Sequence, residues 1–209
     1  MATKRKYAGM MPIAKRAVKT FSPACHRIEI AGSLRRGNQT VGDIEIVAIP
    51  ILNYIGIFKD LWESNLDLVL NDLVKAGKIT KIRAGDKAKS YMVNVTKPAV
   101  KIDIFVANPI NWGLIMAIRT GPAGYSKHIV TQRCKGGALD DDYRVSGGFL
   151  WRFRDSAPDD WEKPDGVDPD EATAQIDGVE HVIVPTPEES DFFQHIKGGY
   201  IPPDKRRYQ

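Results

Sequence analysis

Apolar residues recur at helical spacing in two places in the first half of the chain. Within residues 12–21 they fall on one side of a helix. A second apolar stripe begins after Ser64 or Asn65, either of which can cap a helix, and ends at Gly77. The members of this stripe are Leu66, Val69, Leu70, Leu73 and Val74. The pattern therefore predicts two helices, each with one face in a core.

The segments around these helices alternate between apolar and polar residues or form short β-branched runs, as strands do. The predicted strands cover residues 27–30, 43–49, 79–82, 90–95 and 100–106. The sequence Ala-Gly-Asp at residues 84–86 predicts a hairpin turn. This order of elements predicts an α+β fold, with a mixed β-sheet and helices on one side of it.

The pattern changes after Asn108-Pro109, where we place a boundary between two domains, residues 1–108 and 109–209. The second domain is predicted to be small and α+β, with a helical stretch, strands at 143–153 and 181–184, and a helix at 188–195. Residues 155–171 contain eight acids, one lysine and three prolines, so we expect a solvated loop that faces away from any nucleic acid.

Charge is divided unevenly between the two halves of the chain. Residues 1–103 hold 18 Lys and Arg against 9 Asp and Glu, whereas residues 104–209 hold 12 against 17. A basic half fits a polyanionic partner such as nucleic acid, although a solvated lysine-rich surface gives the same count. No apolar run approaches the ~20 residues that span a bilayer, so we expect a soluble intracellular protein without a membrane partner. Cys25 and Cys134 lack the spacing of a metal or redox pair.

Three acids stand in or beside the predicted strands. Period-two geometry puts Asp43 and Glu45 on one face of their strand, while Asp103 lies within another strand that is mostly apolar. Acids that converge from neighbouring strands repel one another, and hard divalent cations relieve that repulsion. The residues predict a magnesium site, and an exposed acidic sheet face is the alternative.

The loop before these acids has the composition of a phosphate site. Residues 31–37, Ala-Gly-Ser-Leu-Arg-Arg-Gly, offer a glycine turn with backbone amides, a hydroxyl and two guanidinium groups. Gly42 lets the chain bend next to Asp43. Metal ligands and phosphate-binding groups within a dozen residues favour a triphosphate site over a plain surface turn.

These motifs resemble the palm of family X DNA polymerases, the DNA polymerase beta-like nucleotidyltransferases. The matching residues are Gly-Ser-Leu-Arg-Arg-Gly at 32–37, Val-Gly-Asp-Ile-Glu at 41–45 and Lys-Ile-Asp at 101–103. Residues 112–127 are similar to the segment that lines the nucleotide pocket in that family. Residues 185–189 and 200–203 resemble its C-terminal ending, so the similarity extends over nearly the whole chain.

The resemblance implies a DNA-directed DNA polymerase that adds dNTPs to a primer 3′-hydroxyl, acting in short-gap DNA repair as a monomer. Asp43, Glu45 and Asp103 would hold two Mg²⁺ ions, with Mn²⁺ as a possible substitute, and would be the catalytic carboxylates. The second domain would be a thumb-like nucleotide- and DNA-binding domain.

The same resemblance implies the remaining contacts. Nucleotide binding is assigned to Gly32, Ser33, Arg36, Gly42, Arg119, Thr120, Gly121, Tyr125 and Ser126, the first four at the phosphates and the others at the sugar and base. DNA-backbone contacts are assigned to Lys87, Lys89, Lys127 and Arg133. Because only residues 1–31 precede the Gly-Ser turn, we expect a minimal member without the lyase domain.

Three positions depart from the family pattern. Glu45 stands where Asp is usual, Ile118-Arg119 replace an expected aromatic residue, and Val130 falls where a template-contacting arginine is expected. Sugar selectivity, fidelity and template dependence therefore stay open. The alternatives are a template-independent terminal transferase, a nucleotidyltransferase for a non-DNA acceptor, and an inactive nucleic-acid-binding module of the same fold.

Overall fold

The structure is a computed structural model that describes residues 4–55, 62–158, 160–165, 167–168 and 171–207. The chain forms two compact units, Met1–Asn108 (unit 1) and Pro109–Gln209 (unit 2). Both units contain helices and sheet, and the α+β class predicted from the sequence is confirmed.

The strands of unit 1 form a five-stranded mixed sheet and two short ribbons. In chain order the strands are β1 (Arg5–Lys6), β2 (Cys25–Ile30), β3 (Thr40–Val41), β4 (Ile44–Pro50), β5 (Leu52–Tyr54), β6 (Trp62–Ser64), β7 (Ile79–Ala84), β8 (Ala88–Val93) and β9 (Val100–Val106). The large sheet has the spatial order β2-β4-β9-β8-β7. Only β4 and β9 pair in parallel within it, and the other three pairings are antiparallel.

Three helices accompany this sheet: α1 (Tyr7–Phe21), α2 (Gly32–Arg35) and α3 (Asn65–Lys75). Helix α3 was predicted, and the Ser64 side chain caps it by accepting a hydrogen bond from the Asp67 amide. Helix α1 begins at Tyr7 and continues through Pro12, where the sequence had placed its start. Burial of Met10 and Ala14 stabilises the extra turns despite the hydrogen bond that a proline removes.

The core of unit 1 lies between one face of the large sheet and helices α1 and α3. Ile44 and Ile46 of β4, and Ile102 and Ile104 of β9, are almost fully buried on that face. They pack with the helical residues Met10, Ala14, Phe21, Leu66 and Leu70. Because strand side chains alternate between faces, Glu45 and Asp103 emerge on the opposite face of the sheet.

Two boundaries in unit 1 differ from the prediction. Strand β4 starts at Ile44 and not at Asp43, because Gly42 and Asp43 form a bend ahead of it. Strand β8 ends at Val93, and the side chain of Val95, predicted as its last residue, is 68% exposed.

Unit 2 combines three helices with a four-stranded antiparallel sheet. The helices are α4 (Trp112–Thr120), α5 (Ala123–Val130) and α6 (Glu189–Phe193), and the strands are β10 (Tyr143–Ser146), β11 (Phe149–Phe153), β12 (Thr173–Ile176) and β13 (Val179–Val184). The sheet order is β10-β11-β13-β12. The predicted single strand at 143–153 is a hairpin, because Gly147 and Gly148 turn the chain with positive φ angles.

The acidic segment between β11 and β12 is fastened to the sheet. Val167 is 5% exposed and packs in a cluster with Trp151, Ile183 and the partly buried Trp161. The Arg154 guanidinium lies 5.2 Å from the centroid of the Trp161 ring. The described part of this segment therefore covers one sheet face with its apolar residues, beyond the solvated loop that its composition predicted.

The C-terminal segment is tied to unit 2 by a buried ion pair. Arg206 is 2% exposed, and its Nη1 lies 2.8 Å from Oε1 of Glu189 at the start of α6. Its guanidinium also stacks 4.9 Å from the Phe193 ring centroid.

Across the described parts of both units, every helix is too short or too polar to cross a lipid bilayer.

Candidate functional site

A row of polar side chains crosses the face of the large sheet opposite helices α1 and α3 in unit 1. Glu45 on β4 pairs with Asp103 on β9, and Asp103 pairs with Ser90 on β8. Neighbouring strands lie about 4.8 Å apart, and paired residues point to the same face. The register thus brings together two of the three acids predicted to act as metal ligands.

Asp43 joins this row from the bend that precedes β4. Burial raises the pKa of its carboxyl group above the usual value, and the negative charge of Asp103 raises that pKa further. The ammonium group of Lys101 acts in the opposite direction. Asp43 and Asp103 are therefore close enough to repel each other, as expected of acids that share a site.

The Asp103 carboxylate is held on both oxygens. The Ser90 hydroxyl donates a hydrogen bond to Oδ1, and the Lys101 ammonium lies 2.6 Å from Oδ2. The Asp103 side chain is only 13% exposed, so the ion pair with Lys101 compensates a largely buried charge. Among the described residues, no three or more His, Cys, Asp and Glu side chains are gathered closely enough to hold a metal ion.

Gly32 is packed against the acidic row. The residue is buried, has a φ of +63°, and opens the short helix α2. A Cβ atom at this position would overlap the Glu45 carboxylate, and the adjacent Ala31 amide donates to the Glu45 carbonyl oxygen at 2.8 Å. Only glycine satisfies both the left-handed backbone and the close approach.

The other predicted phosphate-binding residues surround the same helix. Ser33 lies within α2, Arg36 is the residue that caps its C-terminus, and both are half-buried. Gly42 sits in the bend next to Asp43. The loop expected from the sequence is thus one helical turn, whose first amides have no carbonyl partner within the helix.

Unit 2 contains the residues predicted for the sugar and base. Gly121 ends α4, and a Cβ there would lie 2.5 Å from the Tyr125 ring and 2.6 Å from the Ser126 hydroxyl. That hydroxyl donates to the Ile118 carbonyl oxygen at 2.6 Å. The turn between α4 and α5 is therefore closely packed.

Two of these residues have packing roles. Thr120 is fully buried, with its hydroxyl 3.6 Å from the Met116 sulfur, and Tyr125 is 2% exposed within the core of unit 2. Tyr125 shares its buried helix face with Ile129, which explains why its ring points inward and not toward a base. Arg119 lies in the last turn of α4 and is half-buried.

The four residues predicted to contact DNA differ in accessibility. Lys87 and Lys127 are exposed. Arg133 is exposed too but forms an ion pair with Asp140. Lys89 is 6% exposed, and its ammonium lies 2.9 Å from Asp67 Oδ1. Its charge neutralises Asp67 within unit 1, so we remove Lys89 from the DNA contacts.

Sequence reasoning missed the two partners of Asp103. Lys101 stands two residues before Asp103, and period two already places both side chains on one face. Ser90 carried no such signal, because its position opposite Asp103 follows from the register of β8 with β9.

A scan against protein-family models gives no match, and a search of the curated proteins gives none either.

We predict that Gly32→Ala destabilises the protein more than Gly37→Ala does. Both glycines have positive φ angles, +63° and +70°, and the left-handed conformation costs an alanine about 1–2 kcal/mol. A Cβ on Gly37 meets nothing within 4 Å, whereas one on Gly32 overlaps the Glu45 carboxylate and must displace that side chain, which adds to the loss at Gly32. Urea denaturation measures both losses, and equal losses would contradict the contact between Gly32 and Glu45.

We also predict that Asp43→Asn raises the free energy of unfolding at neutral pH. The folded state raises the pKa of Asp43, so ionising this carboxyl above its unfolded pKa of about 3.9 costs the native state stability. The gain from asparagine should therefore shrink as the pH falls below about 4, where the carboxyl is protonated in both states. Asp86→Asn, at an exposed turn, is the matched control. A loss of stability at pH 7 in Asp43→Asn would refute the raised pKa of this carboxyl group.

Proposed function

We propose that the protein is a DNA polymerase of the family X type, which transfers a nucleotide from a dNTP to a primer 3′-hydroxyl. The observation that carries this proposal is the arrangement of Asp43, Glu45 and Asp103 beside the Gly32 turn. The in-register pairing of β4 with β9 puts two of the acids side by side, and burial together with the charge of Asp103 raises the pKa of the third, Asp43. Unit 1 thereby acts as a nucleotidyltransferase palm, and unit 2 as a thumb-like domain.

The chemistry of the donor set suits Mg²⁺, and a bound ion would draw together carboxylates that, among the described residues, are not gathered into a ready-made metal site. All three acids supply hard carboxylate oxygens. Burial and the charge of Asp103 raise the pKa of Asp43, and a divalent cation would compensate the negative charges that cause the repulsion. Mn²⁺ prefers the same ligands. When bound, the metal supplies positive charge that lowers the pKa of a coordinated hydroxyl and stabilises developing negative charge.

The residues around the acids have complementary tasks in this proposal. The amides of the first turn of α2, the Ser33 hydroxyl and the Arg36 guanidinium bind and orient the β- and γ-phosphates of the dNTP. By the family resemblance, Asp103 would be the acid nearest the attacking primer hydroxyl. The close contact of Gly32 with Glu45 keeps the phosphate-binding turn next to the acidic row.

Unit 2 contributes nucleotide selection and DNA binding. Arg119, Gly121 and Ser126 are assigned to the sugar and base side of the nucleotide, while Thr120 and Tyr125 support them from the core. Lys87, Lys127 and Arg133 are assigned to the DNA backbone, where each neutralised phosphate adds salt-dependent affinity. Asp140 must release Arg133 for that contact, so Arg133 contributes least.

The proposal is tested by extension of a labelled primer, alone, on a template and across a one-nucleotide gap. Reactions contain Mg²⁺ or Mn²⁺ and each dNTP or rNTP. Templated addition that EDTA abolishes supports the proposal. Addition to the lone primer indicates a terminal transferase, and no addition under any condition points to a nucleotidyltransferase with another acceptor.

We predict that Asp103→Asn abolishes nucleotide addition and leaves DNA binding intact. Asparagine has nearly the same shape as aspartate but lacks the negative charge that binds metal and activates the hydroxyl. Activity within tenfold of the parent, a barrier change of only about 1.4 kcal/mol, would refute the role of Asp103. Asp86→Asn serves again as the control, and fluorescence anisotropy of labelled primer–template measures DNA binding.

A further inference from the structure

The two groups that hold Asp103 differ in mobility. Ser90 has one side-chain torsion, sits inside strand β8 and is half-buried. Lys101 has four torsions, and its side chain is 38% exposed. A long, partly solvated side chain can move into solvent, whereas the serine hydroxyl stays next to Asp103 as long as the sheet is intact.

Strand formation does not explain a serine at position 90. Strands favour β-branched and aromatic residues, and Tyr91 and Val93 of β8 follow that preference. Ser90 stands between β7 and β9, paired with Arg83 on one side and Asp103 on the other. Its hydroxyl donates to the Asp103 carboxylate across the strand pair. The hydrogen bond to Asp103 is thus the specific contribution that serine makes at this position.

We propose that Ser90 is a positioning residue for the metal ligand Asp103. Its hydroxyl fixes the carboxylate through Oδ1 and leaves Oδ2, which carries the Lys101 ammonium, as the oxygen that a divalent cation takes over. Partners that orient metal ligands in this way contribute 10–100-fold, roughly, to metal affinity or activity. This inference rests on the proposed function only in so far as Asp103 is a metal ligand.

Lys101 has the opposite effect on the metal in this arrangement. Its ammonium occupies Oδ2 at 2.6 Å and neutralises the charge that attracts the cation. A divalent ion must displace it, so removing the ammonium should favour metal binding. The two neighbours of a single carboxylate therefore give substitutions of opposite sign, which a general loss of stability cannot produce.

The test measures the binding of Mn²⁺ to the full chain. The electron paramagnetic resonance signal of the free ion reports how much Mn²⁺ remains unbound. We expect Ser90→Ala to weaken Mn²⁺ binding about 10–100-fold, Ser90→Thr to keep the parent affinity because it retains the hydroxyl, and Lys101→Met to tighten binding. If Ser90→Ala does not fold, Ser90→Cys replaces it, since a thiol has similar shape but is a weak donor. Parent-like or tighter binding in Ser90→Ala, or in the Cys variant used in its place, would overturn the proposal.

Primer extension separates this inference from the proposed function. In an active enzyme Ser90→Ala should lower kcat and leave the KM for dNTP unchanged, because the phosphate-binding residues are untouched. Should the parent extend no primer, the polymerase proposal fails, while weaker Mn²⁺ binding in Ser90→Ala still supports the role of Ser90. If Ser90→Ala is active and binds Mn²⁺ with the parent affinity, the polymerase proposal stands and the positioning role of Ser90 is refuted.

Discussion

The parallel pairing of β4 with β9 is the constraint on which the rest of the site depends. Both strands bury isoleucines toward the helices, and a slip of one residue would turn those side chains into solvent and the acids into the core. The cost of burying charge and exposing apolar surface fixes the register at Glu45 opposite Asp103. Hydrophobic packing on one face thereby forces like charges together on the other.

Because helices α1 and α3 pack on the isoleucine face, the acids emerge on the face that these two helices do not cover. Helices α1 and α3 cover the isoleucine side, and Gly32 at the start of α2 lies against the Glu45 side chain on the opposite side. Within unit 1 the Lys101 ammonium compensates the charge on Asp103, and the Ser90 hydroxyl donates a hydrogen bond to the same carboxylate. These two contacts stabilise this largely buried acid of the row in the folded protein.

The local patterns of the sequence predicted the five strands of the large sheet, the α3 cap and the pairing of Glu45 with Asp103 on one face, because each depends on periodicity or on neighbouring residues. The β10–β11 hairpin was missed because Gly147-Gly148 interrupts an apolar run that otherwise looks continuous. The burial of Tyr125 and the ion pair of Lys89 with Asp67 depend on tertiary packing, which periodicity does not report. Ser90 opposite Asp103 likewise requires the register between two strands, and the family resemblance did not supply it.

The most direct measurement of the central claim is the free energy of unfolding as a function of Mg²⁺ concentration, in the parent and in the Glu45→Gln/Asp103→Asn double variant. A cation that binds only the folded acidic row stabilises it by RT ln(1 + [Mg²⁺]/Kd). The account predicts that stability rises with Mg²⁺ in the parent and stays flat in the double variant. The same Mg²⁺ dependence in both proteins, or none in the parent, would contradict a metal site formed by these carboxylates.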